Sequence, residues 1–392
     1  MKAVIAIDSF KGCLSSVEAG NAVAQGILRA IDHAEVIVRP LADGGEGTVE
    51  ALTCAVGGEI VNTRVTGPLG EPVDCRYGVV AKGRTAVIEM SGAAGITLIP
   101  PELRNPLYTT TYGVGEVIKD AIGRGCRRLI VGIGGSATND GGVGMLQALG
   151  YGFLDEEGAQ IPFGANGLER LAQITDEKVI PELKECEFRI ACDVTNILCG
   201  KNGCSAVYGP QKGASPNMII QMDKWLGHYA VLAGERYPHA NPYQAGTGAA
   251  GGLGFAFLTF TNAVLESGIK IVLEETQLEN YMEGADIVVT GEGRMDGQTA
   301  MGKAPVGVAE LAKKHGVPVI AFAGSVTKEA MLCNENGIDA YFPILRNIVT
   351  LEEAMEPENA KANMADTAEQ VFRLLKCWST SRELQSVIPV QR

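Results

Sequence analysis

The chain has 392 residues, 46% of them hydrophobic and 20% charged, with a net charge of −13. That is ordinary globular composition, long enough for roughly two to three domains. The acidic balance argues against nucleic acid and acidic membrane surfaces as partners, so an anionic ligand must meet a local cluster of Lys and Arg.

The strand sequence KAVIAI opens the chain, followed by the loop DSFKGCLS and a helix over Ser16 to Ala30 that Ser15 and Glu18 can start as a capping box. The opening MKAVIAIDSF reaches Asp8 too early for a secretory segment, so the ten cysteines are expected as reduced thiols in a cytoplasmic protein. Strand EVIVRPLA, loop DGGEG and helix TVEALTCAV repeat the pattern, which predicts a parallel sheet. From Gly58 to Met90, EIVNTRV, DCRYGVVA and TAVIEM lie around the turn signals GPLGEP and AKGR and read as antiparallel strands.

A helix near Tyr112 to Gly123 leads to VGIGGSATNDGGVGMLQALG, where an apolar strand run and a helical run enclose a loop crowded with glycine. Bare backbone at the carboxyl end of a strand can approach an anion closely, and the following helix presents free N–H groups to it. A tight connection is the plainer alternative. Residues 151–185 carry little pattern. EFRIACDV reads as a strand ending in an Asp, and helices are expected over Pro216 to Glu235 and Leu253 to Leu265. The uncharged run GTGAAGGLGFAFLTFTNAV reads as loop and buried helix, not as a membrane span. The alternation returns with strand ADIVVT, loop GEGRMDGQTAMGK, helix APVGVAELAKKHG, strand VPVIAFAG, a short helix, DAYFPIL and a final helix around Ala365 to Leu375.

The expected fold is α/β. A Rossmann-like, doubly wound parallel sheet domain is formed by residues 1–60 and 280–378, an α/β domain is inserted over 61–279, and 379–392 form a loose tail. Ligand is expected in the cleft between the domains.

Several strands run into acidic or glycine-rich loops, at Asp8, Asp43, Asp140, Asp193, and Glu292 with Asp296. Oxygen-only ligand sets suit Mg²⁺, and a carboxylate beside a substrate hydroxyl suits general-base work, although any one of these acids can also cap a helix or form a turn. The four histidines show no metal-type spacing, so the base is expected to be a carboxylate. GTGAAG satisfies a dinucleotide pattern without the preceding strand it needs. GQTAMGKA satisfies G-x-x-x-x-G-K, but Ala304 replaces the hydroxyl residue that would ligate magnesium. Lys11, Lys201, Lys212, Arg294 and Lys303 all lie in these loops, with Arg64 in a strand, and together they suit a phosphate or carboxylate clamp.

The ordered set DSFKG, ADGGEGT, TTTYGVGE, IGGSATNDGG, ACDVTN, YGPQKGA, GTGAAGGLG and TGEGRMDGQTAMGK resembles the class I bacterial glycerate kinase family across nearly the whole chain. The resemblance implies ATP- and Mg²⁺-dependent phosphorylation of D-glycerate to 2-phosphoglycerate, in carbon metabolism fed by glyoxylate or sugar acids. On this reading Gly134, Gly135, Ser136 and Asn139, with Lys212, Glu292, Arg294 and Lys303, bind the nucleotide, and Asp43, Asp140 and Asp296 are set aside for metal. Lys11 touches an anionic group and Asp8 joins it as a catalytic residue. Asp193, at the end of an apolar strand and followed by short polar residues, is expected as the general base. The resemblance itself leaves open which acid is the base. Ile7 and Ile197 stand where the family commonly has Pro, which touches loop stiffness but no charged group. The expected partners are D-glycerate and ATP, without nucleic acid or membrane, and a homodimer stays open. A ribokinase-like kinase, a Mg-dependent sugar-acid dehydratase and a non-enzymatic effector-binding domain remain as alternatives, which ADP release with and without glycerate would separate.

Overall fold

A computed structural model describes residues 1–387, with side chains to residue 378. Strands β1 (Lys2–Ile5) and β2 (Glu35–Val38) precede β3 (Glu59–Thr66), β4 (Pro72–Val80), β5 (Thr85–Glu89), β6 (Arg128–Gly132), β7 (Gly152–Leu154), β8 (Gln173–Thr175), β9 (Glu187–Ala191) and β10 (Ala263–Glu266). The last three are β11 (Ile287–Met295), β12 (Val319–Val326) and β13 (Ala340–Pro343). Two compact units result, one from 1–43 with 272–392 and the other from 44–271.

The terminal unit is built on a five-stranded sheet in the order β13-β12-β11-β1-β2, with every pair parallel. Counted within this unit the order is 5-4-3-1-2, so the winding reverses between β1 and β11. Right-handed crossovers on either side of such a reversal place helices on opposite faces. One face is apolar because alternate strand residues point to it: Ala3, Ile5, Ile287, Val289, Ile320 and Phe322 pack with Val23 and Ile27 of helix Ser16–Ala30 and with Met364, Ala368 and Phe372 of helix Pro357–Val387. The first of these helices starts as expected: Ser15 Oγ accepts the Glu18 amide while the Glu18 carboxylate accepts the Ser15 amide.

The inserted unit carries a six-stranded sheet in the order β10-β9-β6-β5-β4-β3. β3, β4 and β5 pair antiparallel, as their alternation predicts, whereas β5, β6, β9 and β10 run parallel. β10 replaces the end of the helix expected to reach Leu265. That helix stops at Phe260, and an apolar run of this length does not by itself distinguish helix from strand. The stretch 44–60, expected with the terminal sheet, packs here instead. Helix Thr48–Val56 lies against β4 and β5, with the Val49 amide on Glu89 Oε1 at 2.7 Å. At the other end, 272–279 belong to the terminal unit. The segment 379–387, expected as a loose tail, continues the backbone of helix Pro357–Val387, and 388–392 lie outside the described residues. Among the described residues no helix is long and apolar enough to cross a membrane.

Candidate active site

In open α/β sheets ligands bind beyond the carboxyl ends of the strands, where the winding reverses. In the terminal unit that point lies between β1 and β11. The chain leaves β1 through Ala6 and Ile7, whose burial and the bond from the Asp8 amide to Gly291 O (2.9 Å) keep the loop on the sheet. Asp8 is thereby held at 3% exposure. The Lys11 ammonium reaches Asp43 Oδ2 at 3.1 Å, bringing in the loop after β2. Glu292, near the end of β11 and also buried, accepts a hydrogen bond from the Thr299 hydroxyl. Asp296 accepts the Gln298 amide at 2.9 Å and lies 3.5 Å from exposed Arg294. Lys303 stands at the N-terminus of helix Ala304–Lys314 and acts electrostatically on Glu292.

This cluster holds its charges against each other. Burial pushes the Asp8 carboxyl up to about 7, and the Asp43 and Glu292 carboxylates add to that rise against the opposing pull of Lys11. Glu292 is likewise raised, first by burial and then by Asp296 and Asp43, against Thr299 and Lys303. Burial works against the Lys11 charge, but Asp43, Asp8 and Glu292 outweigh it and its pKa rises. A buried carboxylate titrating near neutrality beside a lysine is suited to accept a proton at physiological pH.

The glycine-rich loop of the inserted unit is organised differently. β6 delivers it at the carboxyl end of a parallel strand, with Gly134 and Gly135 exposed and Ser136, Asn139 and Asp140 buried. Asp140 is 1% exposed, and its two oxygens accept the Thr111 amide and hydroxyl (both 2.8 Å), the Gly142 amide (3.1 Å) and the Gly144 amide (3.3 Å). It differs from the expected metal ligand: its lone pairs face inward onto donors that fix the turn into helix Val143–Ala148. Asn139 is also internal, with Nδ2 donating to Ser205 Oγ at 2.8 Å. Lys212, expected to reach a phosphate, lies beneath the loop at 2% exposure.

Asp193 lies two residues past the end of β9, is exposed, and accepts the Gly268 amide at 3.1 Å, at the start of helix Gly268–Glu275. It is therefore not the desolvated, strand-held carboxylate expected of a base. The GTGAAGG stretch supports the same loop. The Gly141 amide donates to Gly251 O at 2.9 Å, and a Cβ on Gly251, at φ +70, would lie 2.1 Å from Thr138 O.

Residues 3–376 match the model of the glycerate kinase family. The chain belongs to the glycerate kinase family. A glycerate kinase from Haemophilus influenzae is 46% identical over 96% of this chain and 99% of its own length, and the glycerate 2-kinase of Escherichia coli is 47% identical over 90% and 93%. A solved structure described as glycerate kinase 2 from Salmonella typhimurium LT2 superposes with a TM-score of 0.89 and 47% identity, covering 97% of this chain and 99% of that one. The resemblance carried by the ordered loops is thus borne out, together with the α/β fold and the phosphotransferase class it implied. Within this glycerate kinase fold, three residues escape inspection of the motifs one at a time. Thr299 donates to Glu292, Thr111 grips Asp140, and Ser9 donates its amide to Asp8 Oδ1 at 2.7 Å while its buried hydroxyl has no partner among the described residues. Only Ser9 is a sequence neighbour of its carboxylate; Thr299 and Thr111 lie 7 and 29 positions from theirs, so no local signal in the sequence points to them.

Proposed function

We propose that the protein transfers the terminal phosphoryl group of ATP to the C2 hydroxyl of D-glycerate, with Asp8 as the general base. Asp8 carries the reading: a buried carboxylate at the winding reversal of a parallel sheet, raised toward neutrality and flanked by Lys11. Its carboxylate takes the hydroxyl proton as the substrate oxygen attacks the γ-phosphorus. The new P–O bond forms while the bond to the β-phosphate oxygen breaks, and ADP leaves with the electron pair. Lys11, Arg294 and Lys303 offset phosphate charge, since phosphoryl transfer depends mostly on positioning and charge neutralisation.

The donor set of this loop cluster fits Mg²⁺. It is made of carboxylate oxygens, and although no group of three or more His, Cys, Asp or Glu side chains forms a ready metal cage among the described residues, Mg²⁺ on nucleotide phosphates needs one or two carboxylates and water. Asp43 and Asp296 would hold it, and when bound it would neutralise phosphate charge. The buried thiols of Cys75, Cys126, Cys186, Cys204 and Cys333 are consistent with a cytoplasmic location.

The test is ADP release by purified protein with Mg-ATP, with and without D-glycerate, followed by phosphorus NMR of the product. Glycerate-dependent ADP release and 2-phosphoglycerate are expected. Turnover of another hydroxy acid or a sugar, with none of D-glycerate, refutes the assignment.

A further inference from the structure

Lys212 belongs to the stretch YGPQKGA, in a 3-10 turn over Pro210–Lys212 that points its side chain into the inserted unit. Its ammonium donates to Ser136 Oγ at 2.8 Å and to Thr138 O at 2.6 Å, so it ties two residues of the glycine-rich loop from below. From the other side the loop is pinned by backbone, with the Ile96 amide on Gly135 O (2.8 Å) and the Ala137 amide on Ala94 O (2.9 Å). Gly134 and Gly135 stay exposed between these two anchors.

A fully buried lysine normally sits in an ion pair, because an isolated charge is costly to desolvate. Lys212 forms no ion pair among the described residues. Asp140 attracts it at longer range, but the Asp140 oxygens are already held by Thr111, Gly142 and Gly144. Burial drives the Lys212 pKa down to about 8, with Cys204 and Asp140 opposing the fall. Among the described residues the Thr138 hydroxyl, a further donor group of the loop, is buried without a partner. An unneutralised cation, built into the floor of an exposed glycine turn at a strand's carboxyl end, is arranged to be completed by an anion.

We propose that Lys212 is a positioning residue for an anionic-oxygen site formed by the Gly134–Ser136 turn. It does not reach the ligand. It orients the Ser136 hydroxyl, fixes the turn through the Thr138 carbonyl, and supplies the positive charge that the turn presents. The site's chemistry is that of a small oxyanion group, either the carboxylate of the hydroxy acid or a phosphate of the nucleotide. This assignment rests on the kinase reading for the identity of these two candidates.

Lys212→Met keeps an unbranched side chain one atom shorter and removes the charge, and Ser136→Ala removes the hydroxyl it orients. Steady-state KM for D-glycerate and for ATP, and calorimetric binding of D-glycerate alone and of ATP alone to the intact protein, are compared with wild type. Lys212→Met is expected to raise KM for one of the two ligands by about tenfold or more, with a smaller change in kcat, and to weaken binding of that same ligand. Ser136→Ala is expected to move the same constant in the same direction by about twofold to tenfold. An effect on D-glycerate identifies the carboxylate, and an effect on ATP the phosphate. Folded Lys212→Met with both KM values and both affinities within twofold of wild type overturns the proposal. If Lys212→Met does not fold, the same null result for Ser136→Ala overturns it. Failure of the kinase reading is seen separately, as absence of wild-type turnover.

Discussion

The two loop systems, one in each unit, solve the problem of buried polarity in opposite ways. Around Asp8 the carboxylates of Asp8, Asp43 and Glu292 crowd together with Lys11 and Lys303 beside them, and burial, reinforced by the like charges, raises the carboxyl pKa values of Asp8 and Glu292. Around Asp140 burial likewise pushes the carboxyl pKa up, but four hydrogen bonds from backbone and hydroxyl oppose that rise, and the loop closes on itself. Desolvation raises the pKa of both carboxyls; hydrogen bonding then counters the rise at Asp140 and makes that group structural, while like charges add to it at Asp8 and leave that group ready to exchange a proton. The comparison teaches that equal burial does not mean equal role.

The largest expected effect is on the conflicted side. Asp8→Asn should lower kcat by about a hundredfold or more, the range for loss of a general base. It should also abolish the rise of activity with pH that an Asp8 titrating near 7 gives the wild type. Stability should respond with the opposite sign. The fold raises the Asp8 pKa from 3.8 to about 7, so the folded state keeps a proton that the unfolded chain has lost. Without divalent cation, wild-type stability is expected to fall as pH rises through that window, and denaturant titrations of Asp8→Asn should lack that part of the slope. A variant with normal kcat would end the base assignment.

Lys11→Ala should lower kcat/KM by roughly tenfold to a thousandfold through loss of one charge-stabilising donor. Kinetics close to wild type would make Lys11 a partner of Asp43 alone.

On the satisfied side the effects should fall on stability. Gly251→Ala adds a Cβ at φ +70 against Thr138 O, and should destabilise by about 3 kcal/mol in chemical denaturation. An unchanged midpoint would mean that the two glycine loops are not rigidly keyed together.

The smallest effect is expected at Asp193. It is exposed and caps the Gly268 amide, so Asp193→Asn should change kcat by less than about tenfold. A fall larger than that of Asp8→Asn would transfer the base role to Asp193 and invert the comparison.

Much of this molecule could be read from local pattern. The helix from Ser16, its capping box, the antiparallel strands before Met90 and the parallel alternation at both ends of the chain all follow from periodicity and turn residues, which act over a few positions. The loops of the candidate site were legible as loops for the same reason, and their order along the chain indicated the family. Which acid serves which purpose was not legible, because Asp8, Asp140 and Asp193 look alike as strand-end aspartates. Their difference arises from partners distant in sequence: Asp43 and Glu292 around Asp8, Thr111 on Asp140, and Gly268 on Asp193. Lys212 makes the same point, since nothing in YGPQKGA tells that its ammonium turns inward to Ser136 and Thr138. Backbone propensity is local and is carried by the sequence itself. Desolvation and charge pairing depend on which segments the tertiary fold brings within a few ångströms, and it was the tertiary structure that decided them.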